Sequence, residues 1–344
     1  MKKHRINELF EQLKGHRVLI QTHDMPDPDA IGSGIGLKFL LAQKGIEATV
    51  VYVGNIHMAA TGRMLQSLDI ELCEAKSLKD MSVDDRIILV DCQLKGNNLT
   101  PLPGKVVGII DHHPDLIDEF EGYKHIEETG ACATLITEYL KEEELIDELD
   151  MLKTTALSYA IRMDTADLMR GTTKRDMEAL TLLFDKTDKE RLGSLFNNTL
   201  STDDLKAYAV AINGIRFFRG AGIAGIPFDC HDSLVAAVSD FVLKLDNINI
   251  VIAYALRENG IRISLRSERA NAHAGEMIRE ALRGKGYGGG HKEMAGGFVP
   301  FTGANKNRDA CDDLIDKCFK PILTEVDQRR EYKPTDVENR FNSW

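Results

Sequence analysis

Four short runs in the first half of the chain, Arg17–Thr22, Ala48–Val53, Arg86–Val90 and Val106–Ile110, are rich in β-branched residues and carry little charge. Apolar and polar positions do not alternate along them, as they would in a strand with one wet face. They therefore read as strands covered on both sides. Between the first two, Ile31–Lys44 reads as a helix ended by Gly45. Strand, helix and strand at this spacing make a βαβ unit, which predicts an α/β domain with a parallel sheet and helices on its faces.

From Ala131 to about Asp188 the pattern turns helical. Apolar residues fall three and four apart through Cys132–Asp150, and the acidic run from Glu138 to Asp150 reads as the solvated face of that helix. A second helix, Met151–Met163, ends at Asp164. Residues 188–222 read as helical and polar and then glycine-rich, a linker. Beyond it, Ser233–Leu243, Ile248–Leu256 and Gly260–Arg266 read as strands with a helix among them, Ala272–Leu282 as a helix, Phe298–Pro300 as a closing strand and Asn307–Phe319 as a last helix. The expected organisation is a domain over 1–187, the linker 188–222, a smaller α/β domain over 223–324 across a cleft, and a loose charged tail over 325–344. A chain of 344 residues suits about two domains.

Composition narrows the partners. With 43% hydrophobic residues the chain has ample material for cores, and its net charge of −11 argues against wrapping long nucleic acid. Phosphate would have to be met by local positive charge or by metal. No run approaches the roughly 18 apolar residues that span a bilayer, and the amphipathic start lacks the apolar centre of a secretory signal. The six cysteines form no CxxC pair, as expected of reduced thiols in a cytoplasmic protein.

In an open parallel sheet, ligands collect beyond the carboxyl ends of the strands. The first strand is followed by His23, Asp27 and Asp29, the third by Asp91, and the fourth by Asp111, His112 and His113; Asp164 closes a helix. Mutual repulsion of Asp27, Asp29, Asp91 and Asp164 in one crevice is relieved by divalent cations. Carboxylates and imidazoles without thiolates favour Mn²⁺, with Mg²⁺, Co²⁺ or Zn²⁺ as alternatives. A carboxylate shared by two ions would make a two-metal centre for phosphoryl hydrolysis. Gly32, Gly34 and Gly36 follow a GxGxG spacing rather than the dinucleotide fingerprint, and acidic residues stand where a pyrophosphate would sit; no P-loop motif occurs. In the second half, residues 257–292 hold eight Lys and Arg against four Glu. Arg262, Ser264 and Arg266 share a strand face by period two. Arg266 could grip a phosphate through two bonds, while Gly288, Gly289, Gly290 and His291 offer backbone N–H groups for close approach.

Taken together, HDMPDPDAIGS at His23–Ser33, Val90-Asp91, Asp111-His112-His113 and the later Asp164 resemble the DHH phosphoesterase superfamily. Ile261–Ser267 with Gly288–Gly297 resembles its DHHA1 companion domain. The resemblance covers about residues 15–320. It implies two divalent metals: His23 and Asp27 on one, Asp29, His112 and Asp164 on the other, and Asp91 between them. It also implies that His113 faces the substrate phosphate, that Asp111 orients the histidine pair, and that Arg266 and His291 contact nucleotide. RecJ-type exonucleases carry a further nucleic-acid-binding domain, and membrane-bound cyclic-dinucleotide phosphodiesterases carry transmembrane segments. The layout is closest to the nanoRNase/oligoribonuclease group. That implies a homodimer cutting short oligonucleotides to mononucleotides, an activity that often extends to 3′-phosphoadenosine 5′-phosphate. Hydrolysis of cyclic or linear dinucleotide signals, single-strand exonuclease action and a non-catalytic nucleotide sensor are the alternatives. One departure stands out. The group reads DTGxF after the last metal aspartate, whereas this chain has Asp167 and Arg170 close behind Asp164, which bears on substrate choice.

Overall fold

The computed structural model of the protein describes residues 6–56, 59–96, 98–197, 202–301 and 308–328, the side chains of residues 59 and 203 excepted. The chain forms two compact units, Met1–Thr199 and Leu200–Trp344.

The first unit runs α1 (Ile6–Leu13), β1 (Val18–Gln21), α2 (Pro28–Gln43), β2 (Ala48–Tyr52), α3 (Ala59–Ser67), β3 (Cys73–Glu74), β4 (Arg86–Val90), β5 (Lys105–Asp111), β6 (Tyr123–Ile126), α4 (Cys132–Glu142), α5 (Met151–Asp164), α6 (Lys174–Leu183) and α7 (Lys189–Phe196). Its six strands lie in the order β3-β2-β1-β4-β5-β6, and every neighbouring pair is parallel. Leu19, Ile20, Ile87, Ile88, Ile109 and Ile110 are buried, so successive residues point into apolar layers on opposite faces. α2 begins at Pro28, three residues before its expected start. Proline suits the first helical position, and the Asp27 carboxylate caps the helix by accepting from the N–H groups of Asp29 (2.9 Å) and Ala30 (3.1 Å). The glycines of α2 serve helix packing. A Cβ on Gly32 would lie 2.6 Å from Ala160 Cβ, and one on Gly36 would lie 2.7 Å from Ile136 Cγ2.

The long acidic helix expected over 132–150 is interrupted. α4 stops at Glu142, Glu144 takes a left-handed φ of 58°, and only a single 3₁₀ turn, Ile146–Glu148, follows. Consecutive acids at a helix C-terminus oppose the helix dipole, and the N–H groups of Glu144 and Leu145 close the end by bonding back to Lys141 and Leu140.

The second unit runs α8 (Thr202–Asn213), β7 (Arg216–Phe218), β8 (Ala221–Ile226), α9 (Asp232–Val242), β9 (Ile250–Leu256), β10 (Gly260–Ser267), α10 (Ala274–Ala281), β11 (Tyr287–Gly290), β12 (Met294–Pro300) and α11 (Arg308–Gln328). The sheet order is β11-β12-β10-β9-β8-β7, with β8 and β9 parallel and the other pairs antiparallel. The run Ser233–Leu243 is the helix of this group, capped by His231, whose Nδ1 accepts from Leu234 N–H at 3.1 Å. The glycine-rich segment after residue 219 enters the sheet as the wholly buried β8, where a Cβ on Gly225 would meet the Tyr254 hydroxyl at 2.5 Å. α11 continues to Gln328 through Pro321, past its expected end; from residue 329 on, the expected tail lies outside the described residues.

Candidate metal centre

The strand-end residues of the first unit meet at one rim. His23 follows β1, Asp91 follows β4, Asp111 ends β5 with His112 and His113 after it, Asp27 caps α2, and Asp164 is the last residue of α5. Potential donor atoms of His23, Asp27 and Asp91 lie within 4.8 Å of one another, as do those of Asp29, His112 and Asp164, and those of Asp91, His112 and His113. Asp91 links these groups through its two oxygens. Oδ2 is 3.7 Å from His23 Nε2, while Oδ1 is 3.4 Å from His112 Nε2. His112 Nε2 also stands 3.3 Å from Asp164 Oδ2 and 3.8 Å from Asp29 Oδ2.

The imidazoles are oriented by backbone. His23 Nδ1 donates to Asp24 O at 2.9 Å and His112 Nδ1 to Thr129 O at 3.0 Å. A carbonyl only accepts, so each Nδ1 carries a proton and each Nε2 is turned toward the carboxylates, the arrangement that readies histidine for a cation. Asp91 Oδ1 is buried and has no hydrogen-bond partner among the described residues. A buried, unbonded carboxylate oxygen facing imidazole nitrogens fits a divalent ion. The thiols of Cys92 and Cys132 are not among these donor groups; burial and the neighbouring Asp91 charge push both well above their ordinary range.

Titration properties reflect this crowding. Burial opposes protonation of His23, but the bond to Asp27 and the charges of Asp27 and Asp91 outweigh it and raise the ring to about 10. Burial is likewise overcome at Asp27, which His23 holds down to about 2. Asp29 moves the other way, well above the usual carboxylate range, through burial and the charges of Asp91 and Asp164. Burial also raises Asp164, to about 6. Carboxylates pushed in opposite directions within one crevice mark a site that needs added positive charge.

Several supporting groups were not legible in the sequence. Asp29 is held by the N-terminus of α4, its carboxylate accepting from the N–H groups of Cys132 (2.6 Å) and Ala133 (2.9 Å) and from Ser33 Oγ (3.3 Å). The segment Thr129–Ala133 thus orients both His112 and Asp29. It is tied down by the buried Asp176, which accepts from Gly130 N–H at 2.9 Å and from Thr134 Oγ1 at 2.5 Å. Asp111 has one oxygen toward His112 N–H (2.8 Å) and His113 Nδ1 (2.9 Å), and the other toward Gln93 Nε2 (2.6 Å). Gln93 also donates to Pro114 O at 3.1 Å and accepts from Leu116 N–H at 2.8 Å, clamping the turn that carries both histidines. Behind Asp164, residues 166–168 all have left-handed φ. Arg170 bonds Asp164 O at 3.3 Å, and Asp167 pairs with Arg162 at 2.6 Å.

In the second unit a cavity of about 350 Å³ is lined by Arg262, Ser264, Arg266, Gly289, Gly290 and His291, with Asp232 from α9. Gly288 faces the other way, where a Cβ would stand 3.1 Å from Ile278 of α10. The glycines form the edge strand β11 rather than an open loop. His291 N–H, expected to be free, bonds Met294 O at 2.8 Å, because β11 and β12 are joined by a tight hairpin. Nor is the basic patch bare. Arg262 Nε lies 3.0 Å from Asp232 and Arg266 Nε 2.6 Å from Asp240, both aspartates from α9 and outside the window in which charge was counted.

Comparison with known proteins agrees with this geometry. Residues 17–169 match the DHH family, N-terminal domain, and residues 219–320 match the DHHA1 domain. The chain belongs to the DHH/DHHA1 superfamily, a family of metal-dependent phosphoric ester hydrolases. It is 28% identical over 323 residues to an uncharacterised protein of Methanocaldococcus jannaschii, covering 93% of this chain and 66% of that protein. It is 24% identical over 341 residues to the cyclic-di-AMP phosphodiesterase GdpP of Bacillus subtilis, covering 92% of this chain and 50% of GdpP. The fold matches that of an exopolyphosphatase-related protein from Bacteroides fragilis with a TM-score of 0.75 at 16% identity, covering 93% and 97% of the two chains. No described helix is long and apolar enough to cross a membrane.

Proposed function

We propose that the protein is a metal-dependent phosphodiesterase that hydrolyses short oligonucleotides, dinucleotides included, to mononucleotides. The observation that carries this reading is Asp91: its two oxygens face separate His/Asp groups, and one of them is buried and unbonded. His23, Asp27 and Asp91 would hold one divalent cation, and Asp29, His112, Asp164 and Asp91 a second, with Mn²⁺ the proposed native ion. When bound, such a pair supplies Lewis acidity to the phosphoryl oxygens and lowers the barrier to attack by water.

The chain's own groups do the rest. The bond that His113 Nδ1 donates to Asp111 raises His113 above its ordinary range and directs Nδ1 inward. A protonated His113, partly exposed at the rim, stabilises charge developing on phosphoryl oxygens. The second-unit cavity, with Arg262, Arg266, Ser264 and His291, is proposed to hold a nucleotide phosphate or base, and its small volume suits a short substrate. We infer a cytoplasmic homodimer that takes no long nucleic acid, in keeping with the net charge of −11. The likeness to GdpP favours cyclic or linear dinucleotide signals as a second reading.

The experiment is a panel of labelled di-, penta- and eicosanucleotides, a cyclic dinucleotide and 3′-phosphoadenosine 5′-phosphate, each with Mn²⁺. Mononucleotide release from the short oligomers, with the eicosanucleotide slower by about tenfold or more, is expected. Preference for the cyclic substrate would select the second reading. Absence of mononucleotide from every substrate under Mn²⁺, Mg²⁺, Co²⁺ and Zn²⁺ would overturn the proposal. Tight nucleotide binding without turnover, unchanged in Asp91→Asn, would instead make the protein a sensor.

A further inference from the structure

Among the described residues α3 contributes nothing to the centre above, yet it carries a half-buried arginine, Arg63, with no carboxylate partner. The Nε and Nη2 atoms of Arg63 are buried and have no hydrogen-bond partner among the described residues, and the same holds for the hydroxyl of Tyr159 on α5. Tyr159 is fully buried, whereas Arg63 is half-buried, leaving its guanidinium a route to solvent. Tyr159 packs in one buried cluster with Met64, next to Arg63 on α3, and with Leu68 just beyond that helix; burial pushes its hydroxyl up and the Arg63 charge draws it back.

Scarcity of acids does not explain this. The chain has 54 Asp and Glu. Arg162, Arg175 and Arg191, on α5, α6 and α7 of the same unit, each meet a carboxylate within 3.1 Å. Guanidinium donors buried without an acceptor are costly and rare in native proteins. The unpaired groups are chiefly donors, N–H on Nε and Nη2 and O–H on Tyr159. An occupant must therefore be rich in acceptors and negative. The fork of Nε and Nη2 presents two parallel donors at the spacing of two oxygens on one phosphorus.

The place also suits a phosphate. Tyr159 precedes Asp164 by five residues on α5, a rise of about 7.5 Å. It packs in one buried cluster with Ile31, one turn beyond Asp27 on α2. We propose that Arg63 and Tyr159 form an oxyanion site in the first unit, separate from the metal-ligand cluster and from the second-unit cavity, that holds a phosphate group.

The proposal does not depend on turnover, so its test is binding. The full chain, stripped of divalent metal and carrying Arg266→Met to disable the second-unit cavity, is titrated calorimetrically with inorganic phosphate, and the titration is repeated with Arg63→Met or Tyr159→Phe added. One phosphate is expected to bind this metal-free Arg266→Met chain. Adding Arg63→Met should weaken it by about tenfold or more and adding Tyr159→Phe by about fivefold. Should Arg63→Met fail to fold, Arg63→Lys, which keeps the charge and loses the fork, replaces it with the same expected direction. AMP is then added as competitor. Displacement of phosphate assigns the site to a nucleotide phosphate, and lack of displacement assigns it to the free ion; either supports the site. No phosphate binding by the Arg266→Met chain, or unchanged affinity on adding either the Arg63 or the Tyr159 substitution, overturns it.

Discussion

Replacing Gln93 with methionine keeps the length of the side chain and removes its donors and its acceptor. Three bonds are lost, to Asp111 Oδ2 at 2.6 Å, Pro114 O at 3.1 Å and Leu116 N–H at 2.8 Å. A bond to an ionised group contributes about 1.5–3 kcal/mol and a neutral one about 1 kcal/mol. Because the Pro114 and Leu116 groups are only part-buried, water recovers some of their share, leaving a cost of about 3 kcal/mol. For a unit of this size that lowers Tm by about 6–12 °C. The functional effect is separate. Asp111 would keep its bond to His113 but lose the group that fixes its second oxygen, so the imidazole loosens. A kcat lower by about 10- to 100-fold, with KM changed by less than about threefold, is the expected signature. Scanning fluorimetry and initial rates on a dinucleotide read both quantities. An unchanged kcat in a variant that melts lower would show that Gln93 only supports the fold; an unchanged Tm would refute the bond accounting altogether.

Two further outcomes follow from the centre. Asp91→Asn removes one charge from a crowded crevice at a residue whose left-handed φ of 59° asparagine tolerates. The variant should lose the Tm gain that Mn²⁺ gives the unaltered protein; an equal gain in both would contradict the bridging role. The second concerns pH. In the metal-free site His23 is raised to about 10, so near neutrality it is protonated and a cation must displace that proton. Affinity for Mn²⁺ should therefore strengthen as pH rises and fall about tenfold per unit on acidification for each proton released, measurable between pH 6 and 8. A pH-independent affinity would contradict it.

The rim was legible because each of its residues directly abuts a strand or helix end. His23, Asp91 and Asp111 follow apolar runs, and Asp164 closes a periodic segment, so one-dimensional order maps onto one edge of the sheet. What supports the rim was not legible, since those groups act across the sheet. Gln93 reaches Asp111 over 18 positions, and the Cys132 N–H reaches Asp29 over 103. The second unit was harder for a different reason. Ser233–Leu243 is short and apolar, a pattern that a buried strand and a buried helix share until tertiary packing decides. The glycines of β8 and β11 looked like loops because small residues usually mark turns, whereas here they let Tyr254 and α10 pack closely.

The aspartates of α9 give the second-unit cavity a particular character. An arriving phosphate would not enter an unbalanced positive hole; it would trade places with a carboxylate already seated on Arg262 or Arg266. Such exchange surrenders part of the attraction on arrival and recovers it on departure. Under the proposed function, a pocket built this way would grip modestly and let go readily, favouring repeated cycles over long retention of a phosphate-bearing product.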